Sequence, residues 1–190
     1  MRRIIIFCVA VAATQIGQSV MAADSLGRYA ANYPATLGCD KLTEADRDAP
    51  ELYAVAAFAE GWLSAHAKLT PGTFDFTPWQ SIEYVVAQLR AYCAANPDAQ
   101  VLNALDQLTS FLAPDALKEG GPPRTVTNGE QLIMLHPELL DRIRAELKAQ
   151  GFAKEGDEDP MSGLKDFQRN ESLPDSGMPD ERTLQRLFKK

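Results

Sequence analysis

The run Gly120-Gly121-Pro122-Pro123 divides the sequence into two parts. Glycine loses the most conformational freedom in a helix, and proline lacks the backbone N–H that a helix interior needs. No helix therefore continues through this run. We expect residues 118–129 to form a semi-rigid linker between a first domain, residues 24–117, and a second domain, residues 130–190.

The two parts also differ in charge. Residues 24–119 contain 13 acidic and 6 basic residues, whereas residues 120–190 contain 13 acidic and 11 basic residues. The whole sequence has a formal net charge of -7. Because nucleic-acid binding needs a basic surface, this balance argues against a nucleic-acid partner.

The first 23 residues have the organisation of a secretory signal peptide. Arg2 and Arg3 precede an apolar run at residues 4–13, which is too short to span a bilayer. Val20-Met21-Ala22 supplies residues that suit a cleavage site. The sequence therefore predicts export to the periplasm and no membrane span after cleavage. A retained membrane anchor is the alternative.

Cleavage would remove Cys8 and leave Cys39 and Cys93. Two cysteines in an exported chain usually form a disulfide, although two unpaired buried thiols are the alternative. A bridge between them would close a loop of roughly 55 residues, which contributes about 4 kcal/mol in the chain-entropy treatment.

Four helices are predicted in the first domain, because apolar residues recur there at intervals of three and four. Pro50 suits the first turn of one helix, and Thr77-Pro78 and Asp98 supply start signals for two others. No strand-like alternation occurs, so we expect an all-α fold. The predicted helices cover residues 25–33, 50–68, 77–95 and 98–112.

The order of features in this domain resembles a known family. Cys39 opens the first helical region, a helix rich in small residues follows at residues 53–61, and Cys93 precedes Asn96-Pro97. Residues 36–112 are in this respect similar to the HdeA-like periplasmic acid-stress chaperones, which are helical and carry one disulfide. The resemblance implies a domain that binds other proteins and exposes apolar surface when acid protonates its carboxylates.

The second domain contains three predicted helices, and the first of them begins at His136-Pro137. A series of motif residues runs through these helices and the turns between them: Leu147, Gly151, Phe152, Phe167, Gln168, Leu173, Gly177, Asp180, Thr183 and Leu187. Their order resembles that of the small three-helix peptidoglycan-binding domain of many cell-wall enzymes and envelope proteins. The resemblance implies peptidoglycan as a partner. The motif residues themselves are expected to build the core, turns and helix caps.

Three arginines of this domain are candidate ligand contacts. Arg169, Arg182 and Arg186 would suit the carboxylates of wall peptides, although a solvated face is the alternative. The loop at residues 156–163 departs from the family pattern, because the usual Asp-Gly and Thr are missing. The resemblance therefore predicts the fold more firmly than it predicts glycan binding.

The sequence contains no recognisable catalytic, metal or cofactor site. Its two histidines, His66 and His136, fall in different predicted domains, and no nucleophile motif accompanies either one. Asp157-Glu158-Asp159 lacks the ligand spacing of a calcium-binding EF-hand. We therefore expect a non-enzymatic envelope protein without a cofactor, which binds peptidoglycan and an unidentified protein. The alternatives are an accessory regulator of a wall hydrolase or secretion system, and a peptidoglycan-modifying enzyme of unrecognised type.

Overall fold

The computed structural model describes residues 24, 26, 28–129, 131–154, 156, 159 and 161–189. The predicted signal peptide, residues 1–23, lies outside this part of the chain. Two compact units are present, Met1–Ala31 and Asn32–Lys190. In the first, the Asp24 carboxylate accepts hydrogen bonds from the backbone N–H groups of Leu26 and Arg28, both at 2.9 Å. The described residues there are not helical, so the helix predicted at residues 25–33 is wrong.

The second unit is mostly helical. Seven α-helices, a short 3-10 turn and one β-hairpin occur in its described residues. They are, in order, α1 (Cys39–Glu44), α2 (Pro50–Leu69), α3 (Ile82–Ala95), α4 (Val101–Leu112), the 3-10 turn (Ala113–Asp115), β1 (Arg124–Asn128), β2 (Gln131–Leu135), α5 (Pro137–Ala149), α6 (Leu164–Asn170) and α7 (Glu181–Leu187).

Helices α1 to α4 surround the first apolar core. Leu42, Val55, Leu89 and Leu105 are among its fully buried side chains. The predicted disulfide is confirmed, because the Cys39 and Cys93 sulfurs are bonded at 2.04 Å and join α1 to α3. Both cysteines are completely buried, so the bridge is part of this core.

Two helices begin later than the sequence predicts. Thr77 does not start α3, because its N–H and its hydroxyl both face the Asp75 carboxylate, at 2.8 and 3.5 Å, in a local turn. Ser81 caps α3 instead, and its hydroxyl accepts from the Tyr84 N–H at 3.1 Å. Helix α4 begins after Gln100 rather than Asp98, and Gln100 forms a reciprocal capping box with the third helical residue.

The fold is not strictly all-α, since β1 and β2 form an antiparallel two-stranded sheet. Their register runs from Arg124 opposite Leu135 to Asn128 opposite Gln131. Thr125, Val126 and Thr127 are β-branched, and Asn-Gly follows them. This combination is a strong hairpin signal. Gly129 has a φ of 62°, which a turn between two strands requires and glycine adopts without strain. Strand β1 therefore occupies part of the predicted linker.

The second apolar core lies among β2 and helices α5, α6 and α7. Its fully buried side chains are contributed by all three helices and include Leu139, Ile143, Leu147, Leu164, Phe167, Leu184 and Leu187. Pro137 occupies the first helical position of α5, as predicted. None of the described helices is long and apolar enough to cross a membrane.

Several contacts join the parts of this unit around the two cores. The Ser81 N–H donates to the Glu181 carboxylate at 2.9 Å. The N–H groups of Lys118 and Glu119 donate to the Glu138 carboxylate at 2.8 and 2.9 Å. Residues 118 and 119 are therefore fixed to α5. The boundary at residues 118–129 between two separately folding domains stays a prediction.

Candidate functional site

The side chain of Gln168 connects the C-terminal motif residues to one another. Gln168 is completely buried on α6. Its two Nε2 hydrogens donate to the Met178 carbonyl at 2.9 Å and to the Thr183 hydroxyl at 3.0 Å, and the Ser176 hydroxyl at 3.3 Å shares one of them. Its Oε1 accepts from the Gly177 N–H at 2.7 Å. One amide thus fixes the loop between α6 and α7.

The same loop leads into α7 through a side-chain cap. The Asp180 carboxylate accepts from the Thr183 N–H at 2.8 Å, which satisfies one of the free N–H groups at the start of the helix. Gly177 has a φ of 72°, so its backbone suits glycine. Thr183 is buried and Leu187 is in the core, whereas Leu173 is only half-buried.

Helix α5 ends close to Phe152 and Phe167, the two aromatic residues of the motif. Gly151 has a φ of 82°, and the Phe152 N–H donates to the Leu147 carbonyl at 2.8 Å. This is the arrangement that ends many helices with glycine. The Phe152 ring meets the Phe167 ring edge-on, with 5.4 Å between the centroids. A Cβ at Gly163 would overlap the Phe152 carbonyl, so the close packing of residue 163 against the Phe152 backbone requires glycine.

A groove of about 660 Å³ opens on the surface above these contacts. Strand β1 forms one wall, and α6 together with the loop before it forms the other. The groove is mixed in charge, since basic and acidic side chains alternate along the α6 wall. Besides β1, its lining residues are Leu140, Asp159, Met161, Gly163, Lys165, Asp166, Arg169 and Gly177.

The structure does not bring the three candidate arginines to one place. Arg169 lines the groove, but it already forms ion pairs with Asp166 and, at 3.2 Å, with Asp175. Arg182 borders a separate depression of about 270 Å³. Arg186 lines a third pocket, at the far end of α7. Of the three arginines, only Arg169 can therefore contact a ligand in the groove, and its two ion pairs partly neutralise its charge.

Two other basic residues in the groove were not identified from the sequence. Arg124 on β1 and Lys165 on α6 face the same space, and no ion pair joins either side chain to another described residue. Arg124 is the first residue of β1, in the segment predicted from the sequence to be the linker. Lys165 is adjacent to Leu164 in the motif helix, but only the folded loop places Gly177 against its side chain.

Neither histidine forms part of the groove. The His66 Nδ1 lies 3.0 Å from the Trp62 carbonyl, and the two rings are 4.4 Å apart. The His136 Nδ1 lies 3.0 Å from the Gly121 carbonyl, and its ring meets Phe74 edge-on. Among the described residues, no group of three or more His, Cys, Asp or Glu side chains is arranged to hold a metal ion.

Comparison with known proteins adds no functional assignment, since no protein-family model, curated protein or solved structure matches this chain.

Proposed function

We propose that this protein is an exported, non-catalytic component of the cell envelope whose C-terminal part binds peptidoglycan through the groove between β1 and α6. The observation that supports this proposal most directly is the composition of that groove. It joins the edge of a strand to the cations of Arg124 and Lys165, which no ion pair joins to another described residue, in a space of about 660 Å³. Such a site suits an extended polar ligand that carries carboxylates, and wall peptides are ligands of this kind.

The resemblance of the motif residues to the peptidoglycan-binding domain supports the same ligand. Of those residues only Gly177 lines the groove, and Leu173, Asp180 and Thr183 line a separate depression. The Gln168 amide fixes the loop at Gly177, and Gly163 lets the α6 wall approach Phe152. The changed loop at residues 156–163 contributes Asp159, Met161 and Gly163 to the lining, so it would influence which wall fragments fit.

Binding to purified sacculi tests this function. The full mature chain is mixed with sacculi, and the bound fraction is measured after centrifugation. Lys165→Gln should weaken binding by about tenfold, because a charge-assisted hydrogen bond is lost. The matched control is Lys68→Gln, which removes an exposed lysine from the end of α2. Absence of binding by the wild type, or equal losses in the two variants, would contradict the proposal.

For the first helical region, α1 to α4, we propose binding of a protein partner in the manner of an HdeA-like chaperone. The excess of carboxylates over basic groups at residues 24–119 supports a loss of stability in acid. Titration with a dye that binds apolar surface tests this, and absence of dye binding between neutral pH and about pH 3 would refute it.

The proposed location is the periplasm, after removal of residues 1–23. Fractionation of cells that express the tagged chain tests this, since the mature form should occur with periplasmic proteins. Zymography on peptidoglycan separates a binding protein from an enzyme. A zone of clearing would favour the alternative of a wall-modifying enzyme, and stimulation of a separate hydrolase would favour an accessory regulator.

A further inference from the structure

The pocket at the end of α7 that Arg186 lines has a volume of about 470 Å³ and lies where residues from both apolar cores meet. We call it the aromatic pocket, because Trp79, Tyr84, Phe111 and Phe188 line it. The Trp79 ring centroid is 5.6 Å from that of Tyr84 and 6.1 Å from that of Phe188. Phe111 is 64% exposed at its edge, which is a large apolar area for a soluble surface.

The same pocket is positively charged. Arg142, Arg186 and Lys189 line it, and Asp115 is the carboxylate among the lining residues. The Arg142 guanidinium already compensates Asp115, because it donates to the Asp115 carbonyl at 2.6 Å and pairs with its carboxylate at 3.4 Å. No ion pair joins the remaining two cations to a described residue.

Two further groups determine what the pocket can accept. Burial raises the pKa of the Tyr84 phenol, and the nearby Glu181 charge adds to this, so Tyr84 stays a hydrogen-bond donor at neutral pH. The amide side chain of Gln185 also lines the pocket. Aromatic faces beside hydroxyl and amide groups suit a ring that has both C–H faces and hydroxyl groups.

From this combination we propose that the aromatic pocket binds a carboxylate-bearing pyranose, with the sugar ring against Trp79 and Phe188 and the carboxylate at Arg186 and Lys189. The volume suits one or two sugar units. This site is separate from the groove between β1 and α6, so the proposal holds or fails independently of peptidoglycan binding there.

N-Acetylmuramic acid and N-acetylglucosamine form a matched pair of probes, because the second lacks the carboxylate-bearing ether substituent of the first. Two-dimensional NMR of the full mature chain follows the indole N–H signal of Trp79 during titration. N-Acetylmuramic acid should shift this signal to saturation and bind about tenfold more tightly than the neutral sugar. Glucuronic acid is a third probe. Equal binding of both acids would assign the pocket to carboxylated pyranoses in general, and preference for N-acetylmuramic acid would assign it to wall-derived sugars.

The double variant Arg186→Gln/Lys189→Gln should weaken N-acetylmuramic acid binding by about tenfold and leave the neutral sugar unaffected. Both side chains are exposed, so the fold should be retained. The control is Arg182→Gln/Lys68→Gln, which removes two exposed charges that do not line the pocket. The proposal is overturned if the Trp79 signal does not saturate, if the neutral sugar binds equally well, or if the control variant loses as much affinity.

Discussion

Replacing Gln168 with leucine should destabilise the C-terminal part of the protein strongly. The amide makes three full hydrogen bonds inside the fold: its two N–H groups donate to Met178 and Thr183, and its oxygen accepts from Gly177. The longer contact with Ser176 shares one of the same two hydrogens. At about 1 kcal/mol of net stability for each full bond, their loss costs about 3 kcal/mol. The added apolar burial of leucine offsets about 1 kcal/mol of this. We therefore expect the free energy of unfolding to fall by about 2 kcal/mol.

Urea denaturation followed by far-UV circular dichroism measures the free energy of unfolding. Hydrogen exchange then locates the effect, because amides in α6 and α7 should exchange about thirtyfold faster while those in α2 and α4 change less. Gln185→Leu is the matched control, since Gln185 is exposed on α7 and should change stability by less than about 0.5 kcal/mol. A Gln168→Leu protein within about 1 kcal/mol of wild type would refute the account of the buried amide.

Three more predictions concern stability. Replacing Cys39 and Cys93 with alanine should lower the free energy of unfolding by about 4 kcal/mol, since their bridge closes a sequence separation of 54; an unchanged urea midpoint would contradict this. Gly163→Ala should lower the thermal midpoint more than Gly129→Ala. Both glycines have positive φ, but only at Gly163 would a Cβ overlap a backbone carbonyl. Equal shifts of the midpoint would contradict this steric argument. Burial raises the pKa of Tyr84 above its ordinary 10.0. The contribution of Tyr84 to stability is therefore present below pH 10.0 and is lost as the pH rises through the raised value. Denaturation at neutral and alkaline pH should show that Tyr84→Phe loses less free energy of unfolding in alkali than the wild type does.

Some helix starts were predictable and others were not. Pro50 and Pro137 occupy the first positions of α2 and α5, as the sequence indicates. Thr77 does not cap a helix, since its hydroxyl and its N–H both face the carboxylate of Asp75, two residues earlier. Such competition is local, but a pattern of apolar residues does not reveal which of several hydroxyl and carboxylate groups will bind a given N–H.

The hairpin shows a different limit of sequence reasoning. The pair Asn128-Gly129 is typical of a turn, but β2 cannot be distinguished by its sequence from the beginning of the next helical segment. Residues 131–135 contain Leu132, Ile133, Met134 and Leu135, a short apolar run that suits strand or helix equally. Pairing with β1 decides between them, because a strand needs a partner for its backbone groups.

The sequence by itself determined which residues can bond covalently, which can enter a core and which can end a helix. The Cys39–Cys93 pair, the buried Leu147 and Phe167, and the positive φ of Gly151 follow from residue chemistry and local backbone sterics.

Only the tertiary structure decided which charges share a surface. It places Arg124 and Lys165 in one groove and distributes Arg169, Arg182 and Arg186 among three. It also brings Trp79 to Phe188 across more than half of the chain. Exposed side chains have no periodic signature that fixes their neighbours, because their positions depend on how separate helices and strands pack together.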